Sequence, residues 1–176
     1  MTHPQFSTTL YTIGEWTILR LPQDASAMLP SRGQAMGELT INGHTFQSPL
    51  EPDGKGSHWL RVDKKLAEAI HANAGDTVTF TLEPVKEWPE PKIPEILAKA
   101  LDSDEQARAT WDKATALAHW DWLRWMRATN SEGTKAHRVE VALSKLRSGE
   151  RRPCCFNRNV CTEPAVSKNG ALLDPA

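Results

Sequence analysis

The chain has 176 residues, a hydrophobic fraction of 39%, a charged fraction of 24% and a formal net charge of −1. These values fit a soluble globular protein of one domain or two small ones. They exclude a strongly basic surface that would make nucleic acid or an anionic membrane the default partner. No apolar run approaches the roughly 20 residues that a membrane-spanning helix needs.

The N-terminus, Met1-Thr2-His3-Pro4-Gln5, has no basic patch followed by an apolar core, so no secretory signal is expected. Three Cys, two of them adjacent, make a poor disulfide framework and point to a reducing, cytoplasmic setting. Phe6 to Tyr11 and Trp16 to Leu21 read as strands joined at Gly14. In the second, Trp16, Ile18 and Arg20 face one way, and Thr17, Leu19 and Leu21 the other. Pro22 ends it, having no donor for a ladder. Residues 23–34 read as a loop with a helical turn at Asp24 to Met28.

Glu38 to Leu50 carries the clearest local signal. Two alternating runs meet at Asn42-Gly43, and both residues tolerate the positive φ that a two-residue type I′ turn requires. Pro52 to Gly56 is a turn, and Ser57 to Val62 is a strand with Leu60 and Val62 on one face and Trp59 and Arg61 on the other. Asp63 caps a short helix from Lys64 to Ala72, with Leu66 and Ile70 turned inward and Asn73 to Asp76 as its stop. Thr77 to Val85 alternates cleanly, with Val78, Phe80 and Leu82 inward. About six short strands and one short helix favour a small closed barrel, which leaves no exposed edges.

Glu87 to Pro94 is a Pro-rich joint with the character of a semi-rigid spacer. Beyond it the period changes from 2 to 3.6. A helix begins at Pro94 and runs to Leu101. Ser103 with Gln106 reads as a capping box for a second helix, with Ala107, Trp111 and Ala114 on one face; a break follows near Thr115. From Ala118 to Thr129 the stripe is Ala118, Trp122, Trp125, Met126 and Thr129, with Trp120, Arg124 and Arg127 opposite. Thr134 to Arg147 is the last helix, with Val139, Ala142, Leu143 and Leu146 inward and Ser148-Gly149 as its end. The expected class is α+β: a small N-terminal β-barrel of the double-split type over residues 1–86, a linker over 87–94, three to four helices over 95–149, and an irregular Cys-containing tail over 150–176.

Two sets of residues carry a resemblance. Trp16 with Leu21-Pro22, Ser31-Arg32-Gly33, Ile41 to Phe46, Gly56 to Leu60 and Gly75 to Val78 resemble a widespread uncharacterised bacterial barrel domain. Pro94, Ala100-Leu101, Trp125-Met126, Thr134-Lys135 and His137-Arg138 resemble the bacteriocin-protection, YdeI/OmpD-associated family. The resemblance spans roughly residues 6 to 152. It implies a double-split barrel, AbrB-like in shape, and a role in bacteriocin tolerance or envelope stress, with no assigned catalytic residues. The chain departs from the family pattern in carrying Lys135 and His137 where Arg is expected.

Five groups could carry chemistry. Thr134, Lys135, His137 and Arg138 open a helix, where backbone N–H groups, the helix dipole and cationic side chains suit an anion; the plainer reading is a Thr cap with solvated bases. Trp120, Arg124 and Arg127 have the composition of an interface hot spot or of ordinary surface stacking. Arg32 and Arg61 are candidates for a polar pocket at the barrel mouth. Cys154, Cys155 and Cys161 suit a structural zinc if a distant His completes the set, a reactive thiol near Arg151, Arg152 and Arg158, or simple burial. His44 and His58 fall where two strands could bring them together, although a satisfied His is the commoner outcome.

The functional expectation is a non-catalytic, cytoplasmic binding protein, monomeric or dimeric, without a required cofactor, whose partner is a protein or small ligand. The alternatives are a nucleic-acid-binding regulator using the barrel, which the near-neutral charge opposes, and a thiol or zinc protein using the tail.

Overall fold

The computed structural model describes residues 4–129, 131–153 and 171–173, apart from the side chain of Arg127. The chain divides into two compact units, residues 1–87 with 165–176, and residues 88–164.

The first unit is a curled, antiparallel seven-stranded sheet. Its strands are β1 (Gln5–Thr9), β2 (Tyr11–Ile13), β3 (Trp16–Arg20), β4 (Ala35–Ile41), β5 (His44–Pro52), β6 (His58–Val62) and β7 (Thr77–Pro84). The order across the sheet is β1-β7-β4-β5-β6-β3-β2. The two outermost strands are consecutive in the chain, separated by Leu10 alone, so the sheet must curl until its edges approach each other. Thr8 Oγ1 donates to Arg20 O at 2.9 Å across that gap. The expected single strand from Phe6 to Tyr11 is therefore two strands. Leu10, 1% exposed, turns inward between them, and its backbone pairs with Gly75 and Asp76 instead.

The hairpin forms as the sequence predicts. Asn42 and Gly43 have φ of 50° and 80°, and Leu39 faces Phe46 while Ile41 faces His44. Asn42 has a second task, its Nδ2 donating to Ile70 O at 2.6 Å. This ties the turn to α2 (Lys64–Ile70), which Asp63 caps by accepting from Leu66 N at 2.8 Å. The helix stops at His71, which takes the left-handed conformation at φ 54°, two residues before the expected stop at Asn73. Inside the sheet lies one core that includes Leu19, Leu39, Ile41, Leu50, Leu60, Val78, Phe80 and Leu82. Each fully buried side chain of this kind contributes about 1.5–3 kcal/mol by leaving water.

The two faces of β3 and β6 separate as expected, but both are covered. Leu19 and Leu60 point into the main core, whereas Trp16, Ile18 and Trp59 join Ile13 in a second cluster that Leu172 covers. The loop from Pro22 holds α1 (Gln23–Ser26).

Among the described residues the second unit has four helices: α3 (Glu95–Asp102), α4 (Glu105–Lys113), α5 (Ala116–Arg127) and α6 (Glu132–Arg147). Leu97, Leu101, Ala107, Trp111, Trp122, Met126, Val139, Ala142 and Leu146 form its core. Three caps differ from expectation or sharpen it. Asp104, not Ser103, caps α4, accepting from Ala107 N at 3.0 Å, while Ser103 ends α3. A carboxylate at that position also meets the positive end of the helix dipole. Thr115 caps α5, so the break expected nearby is a new helix start. Ser131, not Thr134, caps α6, which therefore begins two residues before the expected Thr134.

The Pro-rich segment does not stand free. Trp120 Nε1 donates to Pro89 O at 2.6 Å, and His119 Nδ1 lies 2.7 Å from Glu90 Oε2. His119 is stacked on Trp111, with centroids 4.2 Å apart, and its Nε2 reaches Trp111 O at 2.7 Å. Pro89 and Glu90 are thus bonded to the outer side of α5.

Candidate functional site

The second unit opens a groove of about 320 Å3 among α3, α5 and α6, lined by Pro94, Ile96, Leu97, Leu123, Met126, Glu132, Lys135, Ala136 and Val139. Its floor follows from helical spacing. Val139 and Met126 belong to the buried stripes of α6 and α5, and Leu97 to that of α3. Ile96, next to Leu97, is turned out and 56% exposed. Pro94 fixes the chain at the entrance to α3 without needing a donor.

The polar part of the lining is one ion pair. Lys135 Nζ lies 3.1 Å from Glu132 Oε1 one turn apart on α6. Among the described residues the lining contains no serine, threonine, cysteine or histidine. The arrangement can accept an apolar group and meet a polar end with a carboxylate or an ammonium. Beyond Glu132 and Lys135 the described lining offers no side chain that could act as a nucleophile or general base.

The sequence-predicted residues separate. Lys135 is in this groove. Thr134 is the third residue of α6, its N–H donating to Ser131 Oγ at 3.2 Å, so it is not the cap. Arg138 does not face an anion: Nη1 donates to Trp125 O and Ala128 O at 2.8 and 2.9 Å. His137 is exposed and 3.9 Å from Glu140. At this turn Ser131 takes the cap, Glu132 adds a negative charge and Arg138 is committed to the end of α5.

The polar face of α5 is also corrected. Arg124 is only 2% exposed, Asp121 is 0% exposed and pairs with Arg152 at 3.1 Å, and Trp120 is half-buried on Pro89. Segments without periodicity, before α3 and after α6, lie against this side through Pro89 and Arg152. Periodicity within α5 carries no information about them. Of Arg127 only its place in α5 is described.

Arg32 and Arg61 are not joined in one pocket. Arg32 braces the loop after β3, donating to Ser26 O at 2.5 Å and Leu29 O at 3.1 Å. Arg61 lies 4.1 Å over the Trp16 ring. It lines a shallow groove with Glu15, Asp63, Lys64 and Glu68, in which Arg32 has no part. His44 stacks on Phe46, away from His58's partners. Cys154, Cys155 and Cys161 lie outside the described residues, among which no group of three or more His, Cys, Asp or Glu is placed to hold a metal.

Sequence reasoning missed a buried Ser–His contact. Ser26 Oγ is 2.6 Å from His58 Nδ1, and His58 Nε2 is 2.7 Å from Gly33 O. A carbonyl only accepts, so Nε2 carries the proton, and Nδ1 then accepts from the Ser26 hydroxyl. Arg32 Nη1 donates to the same hydroxyl oxygen at 3.2 Å. The geometry is that of an activated nucleophile, but Ser26 and His58 are both 0% exposed and closed off from substrate. Burial holds the His58 pKa below its ordinary value, reinforced by the Arg32 charge and opposed by the Gly33 carbonyl and Asp53. The neutral ring acts as a latch between β6 and the loop.

A second buried network centres on Asp53, 0% exposed. Its Oδ1 accepts from Lys55 N at 2.7 Å and Ser57 N at 2.8 Å, and its Oδ2 from Arg20 Nε at 2.7 Å. Burial alone would raise its pKa, but the donors from Ser57, Lys55 and Arg20 outweigh it and the net shift is downward.

Among the described residues no helix is long and apolar enough to cross a membrane. No curated protein matches the chain. Residues 6–82 match the family model described as Domain of unknown function (DUF1905), and they cover nearly the whole curled sheet. Residues 90–149 match the one described as Bacteriocin-protection, YdeI or OmpD-Associated, and they contain every helix that lines the groove. Each match covers less than half of the chain, so the first part is similar to the one family and the second part to the other.

Proposed function

We propose that this is a non-catalytic, cytoplasmic binding protein linked to bacteriocin protection, and that its helical unit takes the apolar part of a small amphiphile into the groove of α3, α5 and α6. The observation that carries the reading is the lining itself. Seven of the nine residues are apolar and the other two are one ion pair at the edge, Glu132 with Lys135. A site that is mainly apolar with a few placed polar groups is the usual form of a small-molecule cleft. The volume of about 320 Å3 falls at the small end of the range of about 300–1,000 Å3 for such clefts, which favours a small ligand over a helix of a partner. The match to the bacteriocin-protection family supports the biological context.

The test is calorimetric titration with decanoate below its micelle concentration, on the wild-type chain and on Ala136→Trp. Ala136 lines the groove yet is exposed, so a large side chain there fills the space without entering the core. The wild type should bind, and the variant should bind at least about tenfold more weakly, a difference of about 1.4 kcal/mol, while keeping its melting temperature. Equal binding by both would refute the assignment of the groove.

A further inference from the structure

The outer face of the sheet carries an apolar patch of unusual composition. Trp16, Ile18 and Trp59 lie together with Ile13, and they are 3%, 0%, 1% and 8% exposed. What covers them includes a short piece of the chain's own C-terminal region. Leu172, 2% exposed, packs on the cluster, and its N–H donates to Asp53 O at 2.8 Å. The neighbouring Leu173 is 39% exposed.

The fit is incomplete. The indole Nε1 atoms of Trp16 and Trp59 are both buried, and among the described residues neither has a hydrogen-bond partner. Trp normally finds an acceptor for its N–H when buried, and a buried donor without one costs free energy. Leu172 contributes its side chain and its N–H bond to Asp53 O, and the two indole N–H groups stay without an acceptor among the described residues. Asp53, whose carbonyl takes that bond, is itself immobilised by Lys55, Ser57 and Arg20, so the acceptor is presented rigidly. A rigid backbone acceptor beside an apolar cleft suits an extended peptide, which pairs through its main chain and inserts a side chain.

We propose that this face is a recognition site for an extended, leucine-bearing peptide segment of a partner protein, and that Ala171-Leu172-Leu173 occupies it as an internal competitor. The partner segment places a leucine where Leu172 sits, donates a backbone N–H to Asp53 O, and brings carbonyl oxygens to the two indoles. Because the resident segment is tethered, competition within the chain suppresses binding from outside until the tether's anchor is weakened. The site belongs to the first unit and is independent of the helical groove.

The experiment uses the full chain as wild type, Leu172→Asp and Leu172→Ala. The probe is a fluorescein-labelled peptide with the sequence Ser-Lys-Asn-Gly-Ala-Leu-Leu-Asp-Pro-Ala, read by anisotropy. A second peptide with Asp for the first Leu is the control. Both variants should bind the first peptide at least tenfold more tightly than wild type does and should not bind the control; Leu172→Ala alone decides if Leu172→Asp does not fold. Failure of both variants to gain affinity, or equal binding of the two peptides, overturns the proposal. Wild-type dimers that form with rising concentration and vanish in Leu172→Ala would also overturn it, in favour of a second copy's tail as the occupant.

Discussion

Arg138 on α6 closes the end of α5 at Trp125, donating to the Trp125 carbonyl oxygen at 2.8 Å while its guanidinium lies 5.6 Å from the centroid of the Trp125 ring. The last carbonyls of a helix have no partner within it. Arg138 supplies one to Trp125 and another to Ala128, and its positive charge opposes the negative end of the α5 dipole. Arg138→Ala should therefore lower stability by about 2–3 kcal/mol, since hydrogen bonds involving a charged group exceed neutral ones. Arg138→Lys should recover only part of that, having no planar guanidinium to lie against the Trp125 ring. Urea denaturation of the three proteins measures both.

Asp53 predicts an acid-sensitive turn. Its folded pKa lies below the unfolded value of about 3.9, so its contribution is complete above that value and disappears as pH falls through the folded pKa. Asp53→Asn should cost about 1–3 kcal/mol at neutral pH, the usual penalty for breaking a buried charged network. The difference between the two proteins should shrink below about pH 4. Thermal melts from pH 7 to pH 3 show whether the curves converge.

His58 gives a different window. Its folded pKa is lowered, so the unfolded chain binds more protons than the folded chain just below the unfolded value of about 6.5. Stability from this group is complete above that value and falls as pH drops from there toward the folded pKa. His58→Gln should be less stable at pH 8 by about 2 kcal/mol, the scale of a disturbed buried hydrogen bond. Its melting temperature should also vary less than that of wild type between pH 6.5 and pH 5.5. Parallel slopes in that interval would remove the latch.

Gly37 marks where β4 has no room for a side chain. A Cβ there would lie 2.8 Å from Leu50 Cδ1 and 2.8 Å from Leu82 Cδ1. Both leucines are 0% exposed in the main core, so they cannot swing into solvent. Gly37→Ala should cost about 1–3 kcal/mol, as overpacking does, and the loss should lessen when Leu82 is also changed to Val. A double-mutant cycle reads that coupling.

Much of this fold is written locally. Asn42-Gly43 forces its own turn, and Val78, Phe80 and Leu82 alternate because one face of β7 is core. Asp63 and Thr115 signal helix starts by chemistry that acts within three residues. What was not legible depends on segments far apart in sequence. Nothing near Arg124 tells that its side of α5 is covered, and nothing near Trp16 tells that Leu172 returns to it. Ser26 and His58 are 32 residues apart and become partners only through the loop that Arg32 braces. The α6 boundary differs for a smaller reason: Ser131 and Thr134 are both good caps. The groove was visible only as separate stripes, since Leu97, Met126 and Val139 come from three helices.

The measurement that bears most directly on the groove is an amide and methyl NMR titration of the full chain with decanoate. The account predicts saturable shifts concentrated at Leu97, Leu123, Met126, Ala136 and Val139, with the sheet residues unmoved and the shifts abolished in Ala136→Trp. Shifts spread over the curled sheet, or none at those five residues at millimolar decanoate, would contradict it.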